Sequence, residues 1–522
     1  MKKLVNKNSL FIIIISALII LPIFFLRDFT PKNELKYINI AVNMVNSHNF
    51  FSMYDNIEVY TDKPPFFFWL INIISNIFKG YNLGIIGFFL SYIPALTILF
   101  ISFFFSKRYI GKNASLFAPI ALITTPIFFI TASCIRMDML MTLFIVLSLV
   151  IFFLIYDNKL KNTFFNSFLI YLFIGAAVYI KGAAGIVVPI FTIIIFLLLE
   201  KNLSFLKKIY FIQGIFVILT MFLLWFIPSI YFNGSGYLSD IFKKQLLGRA
   251  VNSTIHKRAF YYYVSILPLL YFQWFPFIVS AFIFFYKKRN SIKLFEKFMF
   301  IWALFTILFF SLVSSKLWIY LLPAVFPMAI ILTSFIRENI ENNSNYIKIP
   351  LFITSTLNIL LGTAVLILHN NLISSISIND FIFSAFIFIV LSTATILLYS
   401  KNKVLSIYLP TAVTFIFLTI NLAFVVPKYN NIIGLKDGIS KLKSISSDIV
   451  AYKFTPGVYG GVYINKNIKV LISLSDISVS QNTPVAIITR TKYANEINAK
   501  EFTYNYIYKN SEFSIISIIN KK

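Results

Sequence analysis

The sequence predicts an all-α polytopic membrane domain followed by a small α/β domain outside the membrane. Three observations carry that expectation. Of the 522 residues, 59% are hydrophobic and 12% charged, whereas a soluble globular chain carries roughly a quarter charged residues. The apolar residues gather into runs of the roughly 17–25 residues that cross a bilayer as a helix. From Pro427 onward the pattern changes to short strand-like runs, Asp448-Ile-Val-Ala-Tyr452, Ile468-Lys-Val-Leu-Ile472 and Pro484-Val-Ala-Ile-Ile488, punctuated by Gly457, Gly460 and Gly461. We place the membrane domain at 1–428 and the tail domain at 429–522.

The apolar runs give about thirteen candidate spans. They begin near Leu10, Tyr81, Phe117, Asp138, Phe164, Gly182, Ile209, Tyr261, Phe298, Leu317, Pro350, Phe381 and Val404. The first follows Met1-Lys2-Lys3 and is continued by Phe24-Phe25-Leu26-Arg27 rather than by small residues. It is therefore expected to stay as an anchor and not to be cleaved as a signal peptide. No internal repeat is evident.

The formal net charge of +27 is unevenly placed. Lys2, Lys3 and Lys7, then Lys107, Arg108 and Lys112, then Lys201, Lys207 and Lys208, then Lys287, Lys288 and Arg289 fall in alternate connections, while the short turns between hold only Arg136, Lys181 and Lys316. The positive-inside rule puts the N-terminus in the cytoplasm and the tail outside. The basic balance is thus a topological signal in the cytoplasmic (inner) membrane, and nucleic acid is not an expected partner. One cysteine, Cys134, excludes a disulfide framework, and His48, His256 and His369 form no metal-binding run.

The outer face gathers the scarce polar residues. Its first long loop, 27–79, carries Thr30-Pro31, an N-cap followed by proline at the first helical position. Leu35, Ile38, Val42 and Val45 then recur at helical spacing, as in a juxtamembrane helix lying on the bilayer surface. Asn33, Lys36 and Tyr37 share one side of it, and the amides of its first turn together with Lys36 suit a phosphate. Further on, Pro64 and Pro65 are expected to open a helix, holding Lys63 beside Asp62 at its start. A lysine there is unfavourable unless an anion is close, although pairing with Asp62 alone would also serve. Single cations at helix ends are ordinarily snorkelling residues. A carboxylate is too short for that, so Asp138 at the head of an apolar run is the clearest functional candidate.

These runs resemble those of the membrane glycosyltransferases that use polyprenyl-phosphate sugars, a GT-C-type group that includes the aminoarabinose transferases of lipid A and the protein O-mannosyltransferases. Asn33-Glu34-Leu35-Lys36-Tyr37 matches the family's Asp-Glu-x-Arg-Tyr. Asp62-Lys63-Pro64-Pro65 matches Glu-Lys-Pro-Pro, and Arg136-Met137-Asp138 matches Arg-x-Asp. Lys181-Gly182 follows, then Gly248-Arg249 with His256 and Phe260-Tyr261-Tyr262-Tyr263, and last Ser315-Lys316-Leu317 with Tyr320 and Leu322-Pro323. The order of the motifs is more specific than any one of them. The tail matches in size and placement only.

The resemblance implies inverting transfer from a polyprenyl-phosphate sugar to a glycolipid such as lipid A, or to protein hydroxyls, at the outer face. It implies that Lys36, Lys63 and Arg249 hold the donor phosphate, with Tyr37, Arg136, Lys181, Lys316 and Tyr320 also in the substrate site. Asp62 and His256 match positions that bind a divalent metal (Zn, or Mg or Mn) in lipid A-modifying relatives. No other cofactor is expected. The family's first-motif Asp is Asn33 here, and an amide cannot act as a general base. Glu34 or Asp138 would then orient or activate the acceptor, with Asp28 as a further choice, or the acceptor needs little base catalysis. An acceptor phosphate, already ionised, meets that last condition. A non-catalytic derivative stays open because of Asn33. A transporter is the remaining class, but it calls for ionisable residues near mid-membrane and related halves, and the span interiors are nearly free of charge.

Overall fold

The structure is a computed structural model that describes residues 13–14, 18, 20–56, 58–234, 257–342, 344–368, 372–373, 376–442, 448–466, 468–473, 485–497, 502–510 and 512–521. Among these, ten helices are long and apolar enough to cross a membrane. They start at Leu83, Met137, Phe164, Phe211, Tyr262, Leu294, Trp318, Lys348, Ile378 and Lys403, each within a few residues of an expected start. Of the three other expected runs, two are corrected and one is not covered. The Leu10 run lies largely outside the described residues. The Phe117 run is a broken pair, Lys112–Ile123 and Pro126–Ala132, bent by 69°. The Gly182 run is the shorter helix Ala184–Leu199.

Both corrections have local causes. Proline disfavours helical backbone in the residue before it, and Thr125 is extended at φ −83°, ψ 119° just ahead of Pro126. Gly182 has φ 78° and ends the preceding helix Phe164–Lys181 at its lysine, so the next helix starts two residues later with fewer apolar residues left.

The chain divides into two compact units. The first is Met1–Pro22, Thr61–Phe67 and Gly87–Asn421; the second is Ile23–Tyr60, Phe68–Ile86 and Leu422–Lys522. The second unit therefore gathers most of the 27–79 loop with the tail, a grouping that a linear division at 428/429 does not express.

Within the first unit, helices approach closely through small residues, as membrane helices do. A Cβ on Gly214 would lie 2.3 Å from the Tyr171 ring, and one on Gly175 2.4 Å from Met221 Sδ. These contacts hold Phe164–Lys181 against Phe211–Asn233 and so fix where Lys181 emerges. Gln273 and Asn358 exchange amide hydrogen bonds of 2.9 and 3.1 Å in the buried interior.

The second unit is built on a five-stranded sheet. Strand Asp448–Tyr452 lies parallel to Lys469–Leu471 on one side and to Val485–Arg490 on the other; Phe513–Lys521 then pairs antiparallel with Val485–Arg490 and with Phe502–Lys509. Alternation along the central strand sends Ala486 and Ile488 to one core, with Leu435, Ile439 and Ile515, and Val485 and Ile487 to the other, with Ile516 and Ile518. The first loop contributes a single wide turn, Pro31–Leu35, continued by the α-helix Lys36–Asn46, and the helix Phe66–Ile77. The buried stripe of the 36–46 helix is Ile38, Ala41 and Met44, with Ile40 beside it. Val45, expected on that stripe, is exposed.

Candidate functional site

In the first unit the site begins at two helix ends. Arg136 is the extended N-cap of Met137–Tyr156, which puts Asp138 in the first turn. Lys181 is the last residue of Phe164–Lys181. A carboxylate at a helix N-terminus and a cation at a C-terminus are each favoured by the helix dipole. Here the two meet: Lys181 Nζ donates to Asp138 Oδ1, and Arg136 Nε donates to Oδ2 at 3.3 Å. The Asp138 side chain is 2% exposed. The Lys181 ammonium also lies 4.7 Å from the Tyr320 ring centroid, a cation–π distance. The structure thus brings together Arg136, Asp138, Lys181 and Tyr320, four residues drawn from three separate motifs.

Lys316 has a different setting. It is buried, and its ammonium donates to the carbonyls of Arg258 at 3.2 Å and of Val313. Burial pushes its pKa below the ordinary lysine value. The same turn is held by a bridge between Lys257 and Ser315 and by Tyr263 Oη donating to the Leu317 carbonyl at 3.1 Å. Lys316 therefore ties the chain following the 235–256 segment to the 313–317 turn. Arg249 and His256 belong to that segment and lie outside the described residues. Asp62 and Lys63 are half-buried, and the helix after them starts at Phe66, so Pro64 and Pro65 precede it instead of forming its first turn. Among the described residues no three His, Cys, Asp or Glu side chains could hold a metal together. Zinc needs three or four donors, of which Asp62 would be one.

In the second unit Glu34 is 1% exposed and takes a bidentate pair from Arg27, Nη2 to Oε1 at 2.6 Å and Nη1 to Oε2 at 2.9 Å. Its Oε2 also accepts from the Thr30 amide at 2.9 Å and hydroxyl at 3.1 Å. Thr30 does cap the turn by position, yet it is Glu34 that reaches back to it, one half of a capping box. Both carboxylate oxygens are thus engaged in holding Arg27 and the turn. Asn33 is exposed. Lys36 pairs with Asp55 at 2.5 Å, and Tyr459 Oη donates to the same carboxylate at 3.0 Å. Tyr37 sets its ring edge-on to Phe68 at 6.1 Å.

Asp28 is likewise held on both carboxylate oxygens. It accepts from the Tyr463 hydroxyl, from the Lys436 amide at 2.9 Å and from the Phe29 amide at 2.7 Å. Burial raises its pKa, and these three hydrogen bonds oppose the rise. The same burial and the neighbouring Asp28 push the Tyr463 hydroxyl up. Asp55, Tyr459 and Tyr463 were missed by motif reasoning. The only signal for Asp55 is its being one of few carboxylates in the 27–79 loop; the two tyrosines sit in a tail that carries no matching motif.

Known proteins resemble this chain in sequence and in fold. Residues 62–227 match the family model described as dolichyl-phosphate-mannose-protein mannosyltransferase. An uncharacterised protein of Aquifex aeolicus is 28% identical over 312 residues, 59% of this chain and 59% of that protein. A protein of Wigglesworthia glossinidia brevipalpis named undecaprenyl phosphate-alpha-4-amino-4-deoxy-L-arabinose arabinosyl transferase is 26% identical over 347 residues, 65% of this chain and 60% of that protein. The chain thus spans about three fifths of the length of these curated relatives. In fold it matches the crystal structure of ArnT from Cupriavidus metallidurans bound to undecaprenyl phosphate, with a TM-score of 0.80 at 14% identity over 98% of each chain. Motif order, family model and architecture agree: the chain is a multi-pass membrane protein, similar in sequence and in fold to glycosyltransferases that use polyprenyl-phosphate sugars.

Proposed function

We propose that the protein moves a sugar from polyprenyl (undecaprenyl) phosphate to an envelope glycolipid such as lipid A, at the outer face of the cytoplasmic membrane. The observation that carries this is the Asp138 carboxylate, buried at a helix start between Arg136 and Lys181. Ionisable residues in a membrane domain are costly and mark functional sites. The matched relatives named as undecaprenyl-phosphate aminoarabinose transferases support the donor class. The lysine-rich connections support a cytoplasmic N-terminus and an outer tail.

In this reading the acceptor oxygen attacks the anomeric carbon, the bond to the lipid phosphate breaks with inversion, and the phosphate leaves with the electron pair. Lys36, Lys63 and Arg249 stabilise the charge that develops on it. Asp138, with Arg136, Lys181 and Tyr320 around it, orients the acceptor. Asn33 cannot take a proton, and both oxygens of Glu34 are already occupied. That supports an acceptor that arrives ionised, such as a phosphate, over a neutral hydroxyl. Asp62 and His256 are the residues that would hold a divalent ion, which metal analysis of the purified protein, wild type against His256→Ala, would reveal.

Membranes supplied with a labelled polyprenyl-phosphate sugar test the proposal. Label should move to the lipid fraction, and Lys63→Ala should abolish transfer. Equal transfer by wild type and Lys63→Ala would overturn it. The family model over 62–227 is described by protein mannosylation, so label moving to protein instead would identify the second acceptor class.

A further inference from the structure

The second unit contains a basic cleft of which the transfer reading uses Lys36 alone. Its volume is about 440 Å³, and it is lined by Lys32, Lys36, Lys453 and Arg490 together with Phe454 and Tyr459. No carboxylate lines it. Lys36 and Lys453 are paired with acids outside the lining, which leaves the Lys32 and Arg490 charges for an anion to offset.

The fold explains how they meet. Lys32 and Lys36 are four apart in a helical run and share a face. Lys453 and Arg490 come from the sheet. Tyr452 and Thr489 are register partners in two parallel neighbouring strands, so the next residues, Lys453 and Arg490, stand side by side at the carboxyl ends of those strands. That edge is where open α/β sheets bind ligands. Two of the cations are held in place by acids outside the lining: Lys36 by Asp55 and Lys453 by Glu496 at 2.8 Å. Lys32 and Arg490 make no ion pair among the described residues. Arg490 sits 5.9 Å from the Phe454 ring.

We propose that this cleft binds a sugar phosphate: Arg490 and Lys32 take the phosphate, and the Phe454 and Tyr459 rings face the sugar. Arginine matches phosphate oxygens bidentately, and the cleft is larger than inorganic phosphate alone needs. The ligand is either a phosphorylated glycolipid headgroup or a free sugar phosphate; the chemistry is common to both. In the headgroup case the site would present the acceptor, and that extension rests on the transfer reading above. Binding itself does not.

The test uses the full chain in detergent or nanodiscs. Glucose 1-phosphate, glucose and inorganic phosphate are titrated by calorimetry, and liposomes with and without lipid A are offered in a second arm. Glucose 1-phosphate should bind saturably, more tightly than inorganic phosphate, with glucose inert, and binding should weaken as salt rises. Arg490→Gln and Lys32→Gln should each weaken it by about tenfold, with Arg490→Lys intermediate and thermal unfolding unchanged in all three. Lipid A liposomes competing with glucose 1-phosphate would identify the headgroup; no competition would identify the free sugar phosphate. Absence of glucose 1-phosphate binding, or equal binding by wild type and both glutamine variants, would overturn the site. Sugar transfer measured with Lys63→Ala reports on the catalytic reading separately, because Lys63 does not line the cleft.

Discussion

Lys181 and Asp138 join the C-terminus of one helix to the N-terminus of another, 43 residues apart in sequence. Each charge faces the helix pole that favours it, and Arg136 supports the carboxylate from the other side. Replacing Lys181 by Met leaves a buried carboxylate with one of these two cations. Losing one partner of a buried pair costs about 3–5 kcal/mol. Lys181→Met should therefore lower the thermal unfolding midpoint and abolish sugar transfer. Lys181→Met/Asp138→Asn should recover stability without activity, which a thermal melt beside a transfer assay would register.

Glu34 stands in the reaction as a positioning residue if its two oxygens stay on Arg27 and Thr30. Glu34→Gln replaces one acceptor oxygen by a donor facing a guanidinium. The expected outcome is a loss of stability of about 3 kcal/mol and a transfer rate that falls without a change in the shape of its pH profile. A profile that loses its acidic limb in Glu34→Gln would instead assign Glu34 as the base.

Gly434 has room for no side chain. A Cβ there would lie 1.8 Å from Asp28 Oδ2. Gly434→Ala should destabilise the protein by about 1–3 kcal/mol, the range for overpacking. The effect should shrink in an Asp28→Ala background, since contacting residues are not additive; a double-mutant cycle on unfolding midpoints measures this.

Asp28 should also leave a signature in pH. Its pKa is raised by burial from the ordinary 3.8. The folded chain then holds that proton more tightly than the unfolded chain does. Stability from this group is greatest below 3.8 and declines as pH rises through the raised folded value. Asp28→Asn should flatten that part of the profile. Thermal melts across the mildly acidic range, wild type against Asp28→Asn, would show whether the slopes separate.

The spans and the tail strands were legible because burial imposes a period on the sequence. Asp448–Tyr452 was expected and observed as a strand. Phe502–Lys509 and Phe513–Lys521 were not expected; their tyrosines and serines alternate with apolar residues and weaken the hydrophobic contrast. Arg136 and Asp138 could be paired from spacing alone, and Arg27 and Glu34, seven apart, nearly so. Lys181 with Asp138, and Tyr463 with Asp28 across 435 residues, could not. Such partners are chosen by how helices pack and where the tail folds, which no local period records.

The bent segment at 112–132 has a consequence for biogenesis. Its two pieces, Lys112–Ile123 and the seven-residue Pro126–Ala132, are each shorter than the run a bilayer accepts as a helix. Backbone carbonyls at such a break need partners that lipid cannot supply. Thr124 and Thr125 hydroxyls bond the carbonyls of Ile120 and Ala121 at 2.6 and 2.5 Å, and Trp274 Nε1 donates to Thr124 Oγ1 at 2.9 Å. That indole is synthesised 150 residues later. The Thr124–Trp274 hydrogen bond therefore forms only after the ribosome has moved past Trp274, so the packing around this bend is completed later than the helices that precede it.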